Sequence, residues 1–531
     1  MIRGVDYTPR PIGDGPSLEP ASDYFWGDPS AAPARLTWLR DVWGTTYNTA
    51  QLSLPPGLVR QLGANSIRTY AWWKFAPTSA AVYAEWPRLD WSVGPEVRYG
   101  MSAAPSGFAR FPAHDGGDQF LDLCWNHGVD PIYVVIGITI DPWLGFPSTN
   151  AKQPRWQDVQ AFTARTAEWL ARRYGYHPAV LGFCIGNETN LAGVVGTDRY
   201  LEYWRYLNSL AAIVKRYAPD KLTMTAFADY PRGRLSIVTT PLVEYADQSN
   251  PHRGAPTVPV CVDYDGANPG PDCGSPARRR AFAPDVYQLD VWGFNSYRTP
   301  ETGDLAGFKE LVIDGRYTAA QADGSVPANP EPKPLVLTEW GAPVSIRTRS
   351  GLPPKPPNPD WVAVDPGVAG QFKGAPGYHA ARLIQQLAMD MYGPRSTLST
   401  ANGGILSGGY LFEFSDEWWK EDVHHPGDWC KHNAGTNADK FTWGEPPAQF
   451  KSYWDEEWFG LLEISRGGVP HDDSCSTSLD RRGAPPGARA ADTLKPRAGF
   501  YALQKVLLAT KPAATPPSGL PHIQFISSQV R

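Results

Sequence analysis

Two glutamates close strongly apolar runs in this 531-residue chain. Glu188 ends Gly182-Phe183-Cys184-Ile185-Gly186-Asn187-Glu188-Thr189-Asn190, and Glu339 ends Leu335-Val336-Leu337-Thr338-Glu339-Trp340-Gly341-Ala342-Pro343. A carboxylate placed where a buried strand emerges is costly to desolvate unless it has a partner or a task. Two carboxylates brought to about 5–5.5 Å form the pair that retaining glycoside hydrolysis needs: one attacks the anomeric carbon while the other protonates the leaving oxygen. The ionised member raises its partner's proton affinity, which keeps the acid loaded near neutral pH. Each feature alone has a blander explanation, since Asn-Glu also opens ordinary surface helices. The chemistry rests on both glutamates sharing one small volume.

For that to happen, the two strands must face each other across a closed sheet. Eight short apolar runs are present: Ile2–Tyr7, Ser66–Trp72, Pro131–Thr139, Ala179–Asn187, Lys221–Phe227, Leu289–Tyr297, Pro334–Gly341 and Gly408–Ser415. Several lack polar alternation, as expected of parallel strands covered on both faces. Between them, Gln157–Tyr174 and Tyr200–Tyr217 carry apolar residues at helical spacing, and Phe120–His127, Tyr378–Met391 and Arg497–Ala509 supply further helices. Strands alternating with helices predict a (β/α)8 TIM barrel, whose fourth and seventh strands lie opposite each other. The extra length falls in segments 73–116, 228–283, 342–374 and 417–495, each following a predicted strand and so projecting from the C-terminal rim. Such insertions are expected to shape a cleft and not the core. The predicted organisation is one barrel over 1–510 and a tail over 511–531.

Composition narrows the partners. A formal net charge of −5 provides no whole-protein field to attract a polyanion, so nucleic acid is not expected as a partner. The most apolar stretch, Pro131 to Phe146, is interrupted by Asp141 and is shorter than the ~20 residues of a membrane span. Aromatics make 12% of the chain, with 21 tryptophans, more than a core of this size needs; flat rings beside a cleft suit sugar faces. Cys261 and Cys273 bracket a loop that a disulfide could close, and Cys430 and Cys475 sit in another irregular stretch; Cys124 and Cys184 read as buried thiols. No cysteine or histidine cluster has zinc spacing, and neither a metal nor an organic cofactor is expected. His424, His425, Asp472 and Asp473 are read as solvated loop residues. The N-terminus lacks signal-peptide features; with the loop cysteines, the expected location is secreted or periplasmic as a mature form, with the cytoplasm as the alternative.

The chain resembles the clan A glycoside hydrolases, in which an Asn-Glu on strand four holds the acid/base and a strand-seven Glu is the nucleophile. Within the clan, Arg3-Gly4-Val5-Asp6-Tyr7, Ser66-Ile67-Arg68-Thr69-Tyr70-Ala71, Gly186-Asn187-Glu188 and Ser407-Gly408-Gly409-Tyr410-Leu411-Phe412-Glu413-Phe414-Ser415 are similar to strand motifs of the fungal β-1,3-glucanosyltransferases. Trp340 departs from that family's tyrosine, Thr189 from its apolar residue, and the C-terminus carries no lipid-anchor signal. Trp458-Phe459-Gly460-Leu461-Leu462-Glu463-Ile464 and Lys495-Pro496-Arg497 look like the closing pattern of glycosidases across the clan.

The resemblance implies Glu188 as acid/base and Glu339 as nucleophile, acting on a β-linked oligo- or polysaccharide by double displacement. It further implies that Asn187 bonds the sugar 2-hydroxyl, that Arg68 sits beside Glu339 and keeps it ionised, and that Tyr297 donates to the same carboxylate. Tyr70, Asp141, Phe414, Trp418 and Trp419 are candidate subsite walls, against the alternative that the tryptophans pack beneath a loop. Rival readings are a transglycosylase on the same site, an inverting enzyme, and a carbohydrate-binding barrel without turnover.

Overall fold

A computed structural model of the protein describes residues 1–8, 40–44, 56–70, 116–138, 140, 156–188, 200–228, 288–297, 334–342, 378–404, 406–417, 459–465 and 493–511. Eight parallel strands close into a barrel in sequence order: β1 (Ile2–Asp6), β2 (Ser66–Arg68), β3 (Tyr133–Ile138), β4 (Val180–Ile185), β5 (Leu222–Ala228), β6 (Val291–Asn295), β7 (Leu335–Trp340) and β8 (Leu406–Leu411). The barrel closes through β1 against β8, with Ile2 opposite Gly408 and Val5 opposite Leu411. The helices are α1 (Leu58–Gln61), α2 (Gly116–Trp125), α3 (Trp156–Tyr174), α4 (Tyr200–Tyr217), α5 (Tyr378–Tyr392) and α6 (Ala498–Ala509).

Strand side chains alternate between two cores, which explains why these runs read as apolar at every position. Val135, Cys184, Met224, Ala226, Val291, Val336 and Tyr410 fill the barrel interior. Their neighbours along the same strands, among them Val134, Phe183, Phe227, Trp292, Phe294 and Leu337, join a second core with the helices outside. Helices α3 and α4 end in Arg172-Arg173 and Lys215-Arg216, cations placed where the helix dipole is negative. Among the described residues, no helix is long and apolar enough to cross a membrane. Cys124 and Cys184 are buried free thiols.

One expectation requires correction. The segment 417–495 does not serve only as a cleft insertion, because part of it returns to the core. Within it β9 (Leu462–Ser465) pairs antiparallel with β10 (Thr493–Pro496), and Phe459, Leu461, Leu462 and Ile464 are buried. Burying each such side chain contributes about 1.5–3 kcal/mol, enough to draw the chain back to the barrel end. The amide of Leu461 donates to the Glu413 carbonyl, and the Arg497 guanidinium spans both carboxylate oxygens of Asp416, locking this hairpin to the residues after β8. The loop cysteines Cys261, Cys273, Cys430 and Cys475 lie outside the described residues, as do His424, His425, Asp472, Asp473 and residues 512–531.

Candidate active site

The candidate residues gather at the C-terminal ends of the strands. After β4 the chain turns sharply: Gly186 has φ 74° and Glu188 φ 48°, both in the left-handed region. A non-glycine residue there costs about 1–3 kcal/mol. The Gly186 amide donates to the Ile138 carbonyl, which ties the turn to the end of β3. Asn187 is exposed and Glu188 half-buried, so this side of the site meets solvent.

Glu339 reaches the same place by a different device. Strict alternation from Val336, which faces the barrel interior, would send Glu339 outward. The pairing of β7 shifts at this point against both neighbours: Phe294 opposes Leu337 but Asn295 opposes Glu339, and on the other side Gly409 opposes Leu337 but Leu411 opposes Trp340. This extra residue is a β-bulge, which re-aims the side chains that follow it. Thr338 and Glu339 therefore both point inward, whereas Trp340 packs in the outer core.

Glu339 is 5% exposed and held from two sides. Arg68 Nη1 donates to its Oε1 at 3.2 Å, and the Tyr297 hydroxyl donates to its Oε2 at 2.6 Å. Arg68 Nη2 extends to Asn187 Oδ1 at 2.7 Å. Asn295 then links the two halves, since its Nδ2 donates to Asn187 Oδ1 and to Glu188 Oε1, both at 3.1 Å. Its own Oδ1 accepts from Thr338 at 2.7 Å, which fixes the amide's orientation. A continuous hydrogen-bond path therefore runs from Glu188 through Asn295, Asn187 and Arg68 to Glu339.

Charge and burial are strongly coupled here. Burial opposes the Arg68 charge, but Asp6, Cys184, Tyr70 and Glu339 together carry its pKa well above the usual value. Burial pushes the Tyr297 phenol well up; the Glu339 charge and the hydrogen bond to it push the same way, as does Glu188. The proton thus stays on Tyr297, where it serves as donor to Glu339.

Three participants escaped the sequence reading. Asn295 and Thr338 looked like ordinary strand ends, with no motif to mark them. Asp6 ends β1, is fully buried, and accepts from Arg68 Nη1 at 3.1 Å through Oδ1. An aspartate at the tip of an apolar strand is the same signal that singled out the two glutamates, and it was present in the sequence.

Tyr70 packs against Arg68 at the edge of this network. Its ring lies 4.4 Å from the Arg68 guanidinium carbon and meets Phe412 edge-on. Burial pushes its phenol well up, with Asp6 and Glu339 adding to the effect. Phe414, expected as a subsite wall, is instead a core residue: it is 1% exposed and packs on Tyr7 with ring centroids 5.5 Å apart. The Phe414 amide donates to the Asp6 carbonyl and its own carbonyl accepts from Leu462, which holds its ring in the core. Asp141, Trp418 and Trp419 lie outside the described residues. Among the described residues, no group of His, Cys, Asp and Glu side chains could hold a metal ion.

No family model matches the chain, and no curated protein matches it in sequence. The solved structures to which it is similar match at low TM-scores. A GH2 β-galacturonidase from Eisenbergiella tayi bound to galacturonate is 13% identical, covering 85% of this chain and 46% of that one, with a TM-score of 0.35. Gas2p of Saccharomyces cerevisiae, in complex with laminaritetraose and laminaripentaose, is 11% identical over 96% of this chain and 64% of that one, with a TM-score of 0.37. A Bacteroides uniformis β-glucuronidase is 13% identical over 76% of this chain and 30% of that one, with a TM-score of 0.33. The chain spans less than half the length of the E. tayi and B. uniformis proteins that it resembles.

Proposed function

We propose that this protein is a retaining glycosidase that acts on a β-linked oligo- or polysaccharide. The observation that carries the reading is the hydrogen-bond path joining Glu188 to Glu339, with Glu339 held between a guanidinium and a phenol. Both donors fix the orientation of the carboxylate, as an attacking group requires. Glu188, half-buried and open to solvent on one side, suits a group that must exchange a proton with a leaving oxygen and later with water.

In the first step a Glu339 oxygen bonds to the anomeric carbon as the glycosidic C–O bond breaks, and Glu188 gives its proton to the departing oxygen. In the second, Glu188 takes a proton from water, whose oxygen attacks the same carbon and frees Glu339. Asn187, whose Oδ1 is already engaged, keeps its Nδ2 for a sugar hydroxyl beside the reacting carbon. Where an acceptor sugar outcompetes water, the same intermediate yields transfer.

The test is a panel of aryl β-glycosides and polysaccharides, including laminarin oligosaccharides and galacturonides, with products followed by mass spectrometry and the first-formed anomer by NMR. The expected outcome is turnover with retention, abolished in Glu339→Gln while sugar binding survives. Products longer than the input establish transfer. An inverted first product, or binding without turnover across the panel, refutes the proposal.

A further inference from the structure

The proposed reaction creates an electrostatic problem that Glu339 and Arg68 cannot solve between themselves. Arg68 is 1% exposed, and its Nη1 donates to Glu339, to the Thr338 carbonyl at 3.0 Å and to Asp6. When Glu339 becomes a glycosyl ester it loses its negative charge, and that charge passes to Glu188 as its proton leaves with the departing sugar. A guanidinium buried without an adjacent anion is strongly destabilised. Asp6 is the other carboxylate in contact with Arg68 among the described residues, and it reaches the same nitrogen as Glu339 does.

We infer that Asp6 is a positioning residue of the covalent stage: it keeps Arg68 neutralised and aimed at the site while Glu339 is tied up as the ester. The inference rests on the glycosidase reading above. Its geometry is specific. Asp6 ends β1, between β8 and β2, opposite Arg68 in register, and its side chain is fully buried. Its second oxygen, Oδ2, has no hydrogen-bond partner among the described residues, and among them Arg68 alone holds the carboxylate by hydrogen bond. The charged groups that bear on it are Arg68 on β2, Glu339 on β7 and Glu417 after β8. Burial pushes the Asp6 carboxyl well upward, Arg68 pulls it back, and the charges of Glu339 and Glu417 push it up again. Esterification removes the Glu339 contribution and strengthens the hold of Arg68 on Asp6 at the stage where that hold is needed.

Asp6→Asn tests this, since it keeps the shape and the acceptor but removes the charge. The probe is a set of activated 2-deoxy-2-fluoro-β-glycosides, which leave the glycosyl group on the nucleophile. Wild type is expected to be labelled at Glu339, as read by peptide mass spectrometry. Asp6→Asn is expected to be labelled about tenfold more slowly and to shed its label about tenfold faster. That change is the difference between a charge-assisted and a neutral hydrogen bond acting on the intermediate. Asp6→Ser, a second variant without the charge, is expected to shift both rates the same way, and circular dichroism checks that each variant is folded. A residue that only braces β1 would alter melting without making the intermediate shorter-lived. Labelling of wild type at Glu339 with both rates within twofold in the Asp6 variants overturns this inference and leaves the glycosidase reading standing. Failure to label wild type, together with no turnover, overturns both.

Discussion

Arg68→Met is the perturbation that probes the site most directly, because one side chain holds four groups in place. The guanidinium contacts Asp6, Glu339, the Thr338 carbonyl and Asn187, at 2.7–3.2 Å. Methionine fills most of the volume but leaves two buried carboxylates without their cation. Deleting one member of a buried ion pair costs about 3–5 kcal/mol, against a total stability of about 5–15 kcal/mol. The loss must also depend on pH. Asp6 is already pushed up by burial, and Arg68 is what restrains it; removing Arg68 raises the folded-state pKa further above the unfolded value. A carboxyl raised on folding contributes stability at low pH that is lost as pH climbs through the folded value. The deficit of Arg68→Met relative to wild type is therefore largest near pH 8 and shrinks toward pH 5. Urea midpoints for the two proteins at both pH values measure it, and the comparison cancels other titrating groups. Arg68→Lys should recover most of the stability but little of the turnover, since an ammonium cannot grip Glu339 and Asn187 together as a fork does. A deficit below about 1 kcal/mol at both pH values, or one that grows as pH falls, would refute the reasoning.

Tyr297→Phe removes the 2.6 Å donor to Glu339 while the ring keeps its edge contacts with Phe412 and Phe459. A charge-assisted bond of this kind to a buried carboxylate contributes about 1.5–3 kcal/mol, so stability in urea should fall by a similar amount and kcat/KM on an activated aryl glycoside should fall about 10- to 100-fold. Asp416, fully buried, is pushed by burial to about 6 even though Arg497 pulls it down. Its contribution is present below about pH 3 and lost as pH rises through about 6, so wild type should lose roughly 3 kcal/mol relative to Asp416→Asn between about pH 3 and pH 7 in chemical unfolding. Gly408 has φ 109°, and a Cβ there would lie 1.9 Å from the Ile2 carbonyl oxygen across the β1–β8 seam. Gly408→Ala should cost more than about 4 kcal/mol or prevent folding, whereas Gly403→Ala, at φ 87° with nothing within 4 Å, should cost about 1–3 kcal/mol. Equal urea midpoints for the two variants would contradict this.

What the sequence made legible followed from burial. Parallel strands covered on both faces must be apolar throughout, so all eight appear as short runs, and a carboxylate at the end of such a run stands out. Glu188 and Glu339 were conspicuous for that reason. The same rule marks Asp6, whose place beside Arg68 becomes visible only when β1 and β2 are laid side by side with Asp6 opposite Arg68. Residues that act through backbone geometry left less trace. The bulge that turns Glu339 inward has no sequence signature, because Thr338 and Glu339 simply interrupt an alternation that a doubly buried strand does not display. Asn295 is a single amide in an apolar run, and its value lies in spanning two residues of another strand end. Phe414 illustrates the opposite error: an aromatic near a strand end suited a sugar wall, yet the return of Phe459–Ile464 to the barrel fixes the chain so that Phe414 faces the core.

The barrel itself explains why the charged residues concentrate where they do. Its interior is packed largely with apolar side chains such as Val135, Met224, Val291 and Val336, none of which can stabilise a charge, so an ionised group among them would have no partner. The last residues of β1, β2 and β7 are the first level at which charged side chains from different strands can reach one another. Asp6, Arg68 and Glu339 occupy that level, and each satisfies a requirement of the others: Arg68 is tolerable at 1% exposure because two carboxylates flank it, and two carboxylates can approach each other because Arg68 lies between them. Replacing all three by apolar residues of similar volume should therefore cost less stability than replacing Arg68 alone. That comparison separates the energetic interdependence of the trio from its role in turnover, which the triple replacement would abolish.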